Sequence, residues 1–223
     1  MLKLIATWLV LGSATAFATD TAPAAPAAPT EVAQQELMSQ VQAKYASVDV
    51  MKARFRQVST SALYGGSEQT GTLTLQRPRK MRWDFAGDGK QFITDGETMW
   101  IYSPADKQVI RYADFGAGQA MAADSLLQSL DKLEELFEVE LLASGDEGHR
   151  LGLSPRDEAS KAQVKEVVLT LAPDLTVRQV EITDAYDGVT TLSFTELTLG
   201  GTVDPAAFQF EVPEGVDVVD AKG

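Results

Sequence analysis

Apolar residues recur along this chain first at helical and then at strand spacing. After Thr30, a plausible N-cap, Leu37, Val41, Tyr45 and Val48 fall on one helical face, with Glu31 in the first turn where a negative charge suits the free amides. From Val50 the period becomes two. Met51, Ala53 and Phe55 alternate with Lys52, Arg54 and Arg56, and the alternation returns at Leu73 and Leu75 and at Met81, Trp83 and Phe85. Each such strand has one face to cover. Turn residues separate the strands at Gly65-Gly66, Pro78, Gly87 to Gly89, Asp95-Gly96 and Ser103-Pro104, so an antiparallel meander is the simplest topology.

The rhythm changes after Tyr112. Residues 119–137 carry Leu126, Leu130, Leu133 and Phe137 at i, i+4, i+7 and i+11, which predicts one or two helices, and Asp131 and Glu134 have capping-box spacing. A Gly116-Ala117-Gly118 entry would let these helices act as a movable cover. Strands then resume at 139–142, 149–153, 164–171, 177–182 and 189–199, the last two joined by an Asp187-Gly188 turn. Phe208-Gln209-Phe210 reads as a final short strand, and residues 216–220 as an acidic tail.

The two ends of the chain have a different character. Residues 1–18 combine Lys3, an apolar run from Leu4 to Leu11 and a closing Ala16-Phe17-Ala18, the pattern of a cleaved signal peptide. The apolar run is too short to span a membrane, so export without a helical anchor is expected. Residues 19–30, TDTAPAAPAAPT, form a Pro/Ala linker with little to bury, and residues 31–223 are expected to make one domain. With no cysteine in the chain, its stability must come from a hydrophobic core.

Charge narrows the partners. Nineteen lysines and arginines face 32 aspartates and glutamates, a net charge of −13 that grows by one when Lys3 is removed. Such a balance argues against a nucleic-acid partner. Seven of the cations nevertheless fall in two runs, Lys52, Arg54 and Arg56, then Arg77, Arg79, Lys80 and Arg82. Except for Arg77, these are either a solvated strand face or a docking patch.

Catalytic signatures do not emerge. The one histidine, His149, opens a polar strand and reads as a surface residue. There is no HExxH, EF-hand loop or G-x-S-x-G, and Gly87-Asp88-Gly89-Lys90 lacks the spacing of a phosphate loop. No metal or cofactor is expected. The dense aromatics of residues 71–102 therefore line either a filled core or a cavity.

Several motifs in order point further. They are F-x-Q at Phe55 and Gln57, G-x-L-x-L-x-R-P from Gly71 to Pro78, Trp83, D-G-x-x-x-W-x-Y from Asp95 to Tyr102, and F-x-F-x-x-P-x-G-V from Phe208 to Val216. Together they resemble the LolA family of periplasmic lipoprotein carriers, over residues 31–220. The resemblance implies an incomplete, half-open curved antiparallel β-barrel whose concave apolar face is covered by helices and encloses acyl chains. It implies a lining of Leu73, Leu75, Met81, Trp83, Phe85, Phe92, Trp100, Tyr102, Leu126 and Leu130, although Met99 and Ile101 are apolar alternatives to Trp100 and Tyr102. Arg77 matches the family's arginine at the cavity mouth and, with Pro78, would latch the cover. The other reading of Arg77 is an edge-strand side chain in water.

Lys52, Arg54, Arg56, Arg79, Lys80 and Arg82 are then the candidates for docking. The partners implied are acylated lipoproteins, an inner-membrane lipoprotein-releasing ABC transporter and an outer-membrane receptor, met by a monomer without catalytic activity. A lipid- or lipoprotein-binding sensor on the same half-barrel is the second reading, and a hydrolase with an acidic pair in the cleft the third. The chain departs from the family pattern in its long Pro/Ala arm and its short C-terminal segment.

Overall fold

The computed structural model describes residues 31–61, 65–113, 115 and 126–221. The expected signal peptide, linker and Thr30 cap lie outside these residues, as do the Gly116-Ala117-Gly118 entry and the first residues of the expected cover.

Helix α1 (Glu31–Tyr45) opens the described chain and buries Leu37, Met38, Val41 and Tyr45. A meander follows: β1 (Val50–Ser61), β2 (Gly65–Gln76), β3 (Lys80–Phe85), β4 (Gln91–Thr94), β5 (Met99–Ser103) and β6 (Gln108–Tyr112). Residues 126–128 are helical, a 3-10 turn spans Leu130–Lys132, and α2 (Leu133–Leu136) runs directly into β7 (Phe137–Gly145). The rest is β8 (Gly148–Pro155), α3 (Glu158–Lys161), β9 (Val164–Leu171), β10 (Val177–Asp184), β11 (Val189–Leu199), a 3-10 turn at Pro205–Phe208 and β12 (Asp217–Ala221).

All twelve strands join one curved, open sheet in the order β12-β6-β5-β4-β3-β2-β1-β11-β10-β9-β8-β7. Neighbours are antiparallel except β12 and β6, which run parallel. Because β7 and β12 form its two edges, the sheet does not close into a barrel. The period-two strands place Met51, Ala53, Phe55, Leu73, Leu75, Met81, Trp83 and Phe85 on an inner face, in one core cluster with α1 and with Leu126, Leu127, Leu130 and Leu133.

Edge strand β7 is bracketed by α1. The Gln34 amide donates to the Val139 carbonyl at 2.8 Å, and its oxygen accepts from the Leu141 amide at 3.0 Å, so one side chain satisfies two groups that would otherwise offer a free strand edge.

Four expectations need correction. Phe137 begins β7 instead of ending a helix, and the Asp131–Glu134 capping box does not form: neither the 3-10 turn nor α2 has a side-chain cap. Asp131 has another partner, described below. Phe208 to Phe210 is not a strand, because Asp204 caps a 3-10 turn that starts at Pro205 and ends at Phe208. The acidic tail is instead β12, which extends the sheet beyond β6, with Asp220 bonded to Arg111 at 2.7 Å.

Candidate functional site

The inner face is built in register. Leu73 lies opposite Trp83, Leu75 opposite Met81, and Gly71 between Phe55 and Phe85. Gly71 is required there, since a Cβ would meet the Asp84 carbonyl and the Phe55 ring. The space it leaves admits an aromatic group: Phe55 stands edge-on to Trp83 at 4.7 Å and to Phe85 at 5.2 Å, and Phe85 edge-on to Phe92 at 5.2 Å.

Leu73, Leu75, Met81, Trp83 and Phe85 are buried, as are Leu126 and Leu130 from the covering segment, while Phe92 is half-buried against the same cluster. Thr94, buried beside the lining, accepts a hydrogen bond from the Gly96 amide. Such a surface offers dispersion and water exclusion, without fixed polar anchors.

Trp100 and Tyr102 do not belong to this lining. Trp83 pairs with Phe92 and Phe92 with Ile101, so Ile101 and Met99 carry the inner parity; both join the inner cluster. Trp100 and Tyr102 point to the outer face and pack on Phe210, with ring centres 6.4 and 5.6 Å away. Ile93 and Val109 share that face, and with Phe208 they are buried apart from the main cluster. The chain after β11 therefore forms a second, smaller core on the outside of the sheet.

Arg77 follows the last residue of β2, and its own amide is bonded to the Asp49 carbonyl at 2.8 Å. Its guanidinium divides two ways. Nη1 donates at 3.1 Å to the Tyr45 carbonyl, a helix-end oxygen that also accepts from the Val48 amide, and Nη2 donates to Asp131 Oδ1 at 2.7 Å. The Arg77 and Asp131 side chains are only 20% and 16% exposed. Between Arg77, Gln128, Tyr45, Met51, Leu75 and Leu127 a crevice of about 10 Å³ remains, no more than one water molecule needs. In the next turn the Arg79 amide, at φ 61°, donates to Gln128 Oε1 at 2.8 Å, and the Arg79 guanidinium donates to the Phe115 carbonyl. Asp131 escaped sequence reasoning because its partner lies 54 residues away.

Tyr45 fastens the other side of α1. Its hydroxyl donates to the Leu175 carbonyl at 3.1 Å and accepts from the Val177 amide at 3.2 Å, and burial pushes its pKa up to about 12.

Lys52, Arg54, Arg56 and Arg82 face outward, and each has a partner. Arg54 pairs with Glu196 at 2.9 Å, Arg56 with Glu68 at 2.6 Å and Arg82 with Asp84 at 2.7 Å. Lys52 donates to the Thr202 carbonyl and Arg82 also to that of Ala207. The Arg56 hydrogen bond holds the Glu68 carboxyl below its ordinary value. Arg54 and Arg56 border an outer groove of about 710 Å³ with Thr70, Thr72, Ser193 and Thr195. The basic patch expected from the sequence is thus a surface of mixed, paired charge; Arg79 and Lys80 lie apart from it at the β2–β3 turn.

Comparison with known proteins bears on the whole arrangement. Residues 46–211 match the family model described as outer membrane lipoprotein carrier protein LolA. An outer-membrane lipoprotein carrier protein of Methylobacillus flagellatus is 31% identical over 80% of this chain and 86% of its own length. Its counterpart in Bordetella pertussis is 32% identical over 93% and 95%. Among solved structures, an uncharacterized conserved protein of Thermus thermophilus shares the fold with a TM-score of 0.50 at 16% identity, over 84% of this chain and 99% of that one. Extending over most of the chain, from the end of α1 past the second core, these matches establish that it belongs to the LolA family of outer membrane lipoprotein carrier proteins.

Proposed function

We propose that the protein is a periplasmic chaperone that takes the acyl chains of lipoproteins onto the inner face of its sheet and carries them from the inner membrane to an outer-membrane receptor. The observation that carries this reading is one continuous apolar face, from Phe55 through Trp83 to Phe92, closed by helical segments that are fastened at Arg77. An acyl chain in water costs roughly 0.8 kcal/mol per methylene, so a carrier needs a large apolar surface. It must also release its cargo. A cover that exchanges with the acyl chains for the same lining meets both needs, because opening sacrifices contacts that the cargo restores.

Arg77 is the latch in this scheme. The cargo is received from a lipoprotein-releasing ABC transporter and passed on by a monomeric carrier, which acts by binding and release without catalysis. Docking uses the outer surface around Arg54, Arg56 and the β2–β3 turn, and the interleaved charges there favour partners of equally mixed charge over an acidic one.

The test is release of a labelled lipoprotein from spheroplasts. The protein is expected to bring the triacylated form into solution as a one-to-one complex and pass it to receptor-bearing membranes. Binding without onward transfer would replace the carrier by a sensor of lipoproteins.

A further inference from the structure

The covering segment carries side chains that grip the β2–β3 turn. Gln128 and Asp131, three residues apart, both reach residues 77–79: Gln128 Oε1 accepts the Arg79 amide at 2.8 Å, and Asp131 Oδ1 accepts Arg77 Nη2 at 2.7 Å. Among the described ion pairs, this is the one in which both side chains are less than one quarter exposed.

The far end of the segment is held differently. Arg156 Nε donates to the Glu134 and Phe137 carbonyls, both at 3.0 Å, and its amide to the Leu136 carbonyl at 2.9 Å, where α2 continues covalently into β7. One end is therefore tied to main chain and built into the sheet. At the described start of the segment the contacts to the turn are made by two side chains, Gln128 beside the water-sized crevice and Asp131. Helix α1 has anchors of its own, through Gln34 to β7 and through Lys44 and Tyr45 to the turn before β10.

We propose that Asp131 and Gln128 are the cover's half of the latch. They are positioning residues that hold the Leu126–Leu130–Leu133 face on the lining by gripping Arg77 and Arg79, while α1 stays with the sheet when the cover lifts. This rests on the carrier reading above. On this view Arg77 joins three elements, and the carbonyl of Tyr45 keeps its guanidinium in place after Asp131 leaves. An ion pair at the turn makes closure a charge-assisted contact, strong when shut and satisfied by water when open.

The chain has no cysteine, so spin labels go only where they are introduced. Labels at Glu97→Cys, beside the turn, and at Lys132→Cys, exposed next to Asp131 on the cover, report the cover without any cargo present. Asp131→Asn should raise the open-to-closed ratio about tenfold. Asp131→Glu should restore part of the closed population, and Gln128→Leu should give a smaller shift in the same direction. In an Arg77→Leu background Asp131→Asn should add nothing, and raised salt should open the parent protein more than Asp131→Asn. A thermal melt of each variant separates opening from unfolding.

An Asp131→Asn distance distribution equal to the parent's, or an equal shift with Arg77 already removed, would overturn the proposal. The carrier reading fails separately, if the parent protein shows the clasp but binds no fluorescent triacylated lipopeptide.

Discussion

On its inner side the sheet meets α1 and the helical segment of residues 126–136, and on its outer side it meets the C-terminal chain. The inner cover ends in polar side-chain contacts at Arg77, Gln128 and Asp131, beside a water-sized crevice. The outer cover is held by the buried Phe208 and by β12, whose backbone joins the ladder of β6 along its whole length. In the proposed scheme the difference separates a cover that comes off from one that stays. Side-chain bonds break one at a time, whereas a strand ladder and a plugged ring are lost only together.

Substitutions on the two sides should separate accordingly. Phe208→Ala should have the largest effect on stability, about 3–5 kcal/mol in urea unfolding, since it empties a fully buried ring site. Lipopeptide affinity of the folded protein should be unchanged. If that affinity collapses with stability intact, the outer cover belongs to the binding site and the contrast between the faces fails.

Arg77→Leu should cost less, about 1–3 kcal/mol, because Asp131 loses its partner in a half-buried place. Its effect on transfer should be the larger one, with uptake or release in the spheroplast assay impaired while the protein remains folded. An unchanged transfer rate removes the latch.

Tyr45→Phe should cost about 1–2 kcal/mol by leaving the Val177 amide without its acceptor. It also carries a pH signature. The folded phenol titrates near 12, above its ordinary value near 10, so its contribution is complete below pH 10 and is lost as pH rises toward 12. The parent should therefore lose stability over that window more steeply than Tyr45→Phe. Parallel alkaline curves would mean that Tyr45 does not anchor α1. Asp220→Asn should have the smallest effect on the urea midpoint, because the Arg111 pair is exposed and β12 is held by its backbone.

The inner face was legible in the sequence because only one side of β1, β2 and β3 is apolar, so parity alone selects Met51, Phe55, Leu73, Leu75, Met81 and Trp83. The same rule failed at β5, where MWIY is apolar on both parities. Such a run is what a strand covered on both faces requires, with Met99 and Ile101 turned to one core and Trp100 and Tyr102 to the other. Nothing local marks DVVDA as a parallel edge strand, and Asp131 had an equally good local use as a cap. Long-range pairing decided each of these, and spacing along the chain does not record it.

Two tryptophans allow the faces to be compared in one experiment. With Trp8→Phe in both proteins, Trp100→Phe leaves Trp83 reporting the inner lining, and Trp83→Phe leaves Trp100 reporting the outer core. A triacylated lipopeptide should change the Trp83 emission, its deacylated form should not, and Trp100 should stay silent to both. An equal response to the deacylated peptide, or a response from Trp100 alone, would contradict acyl binding on the inner face.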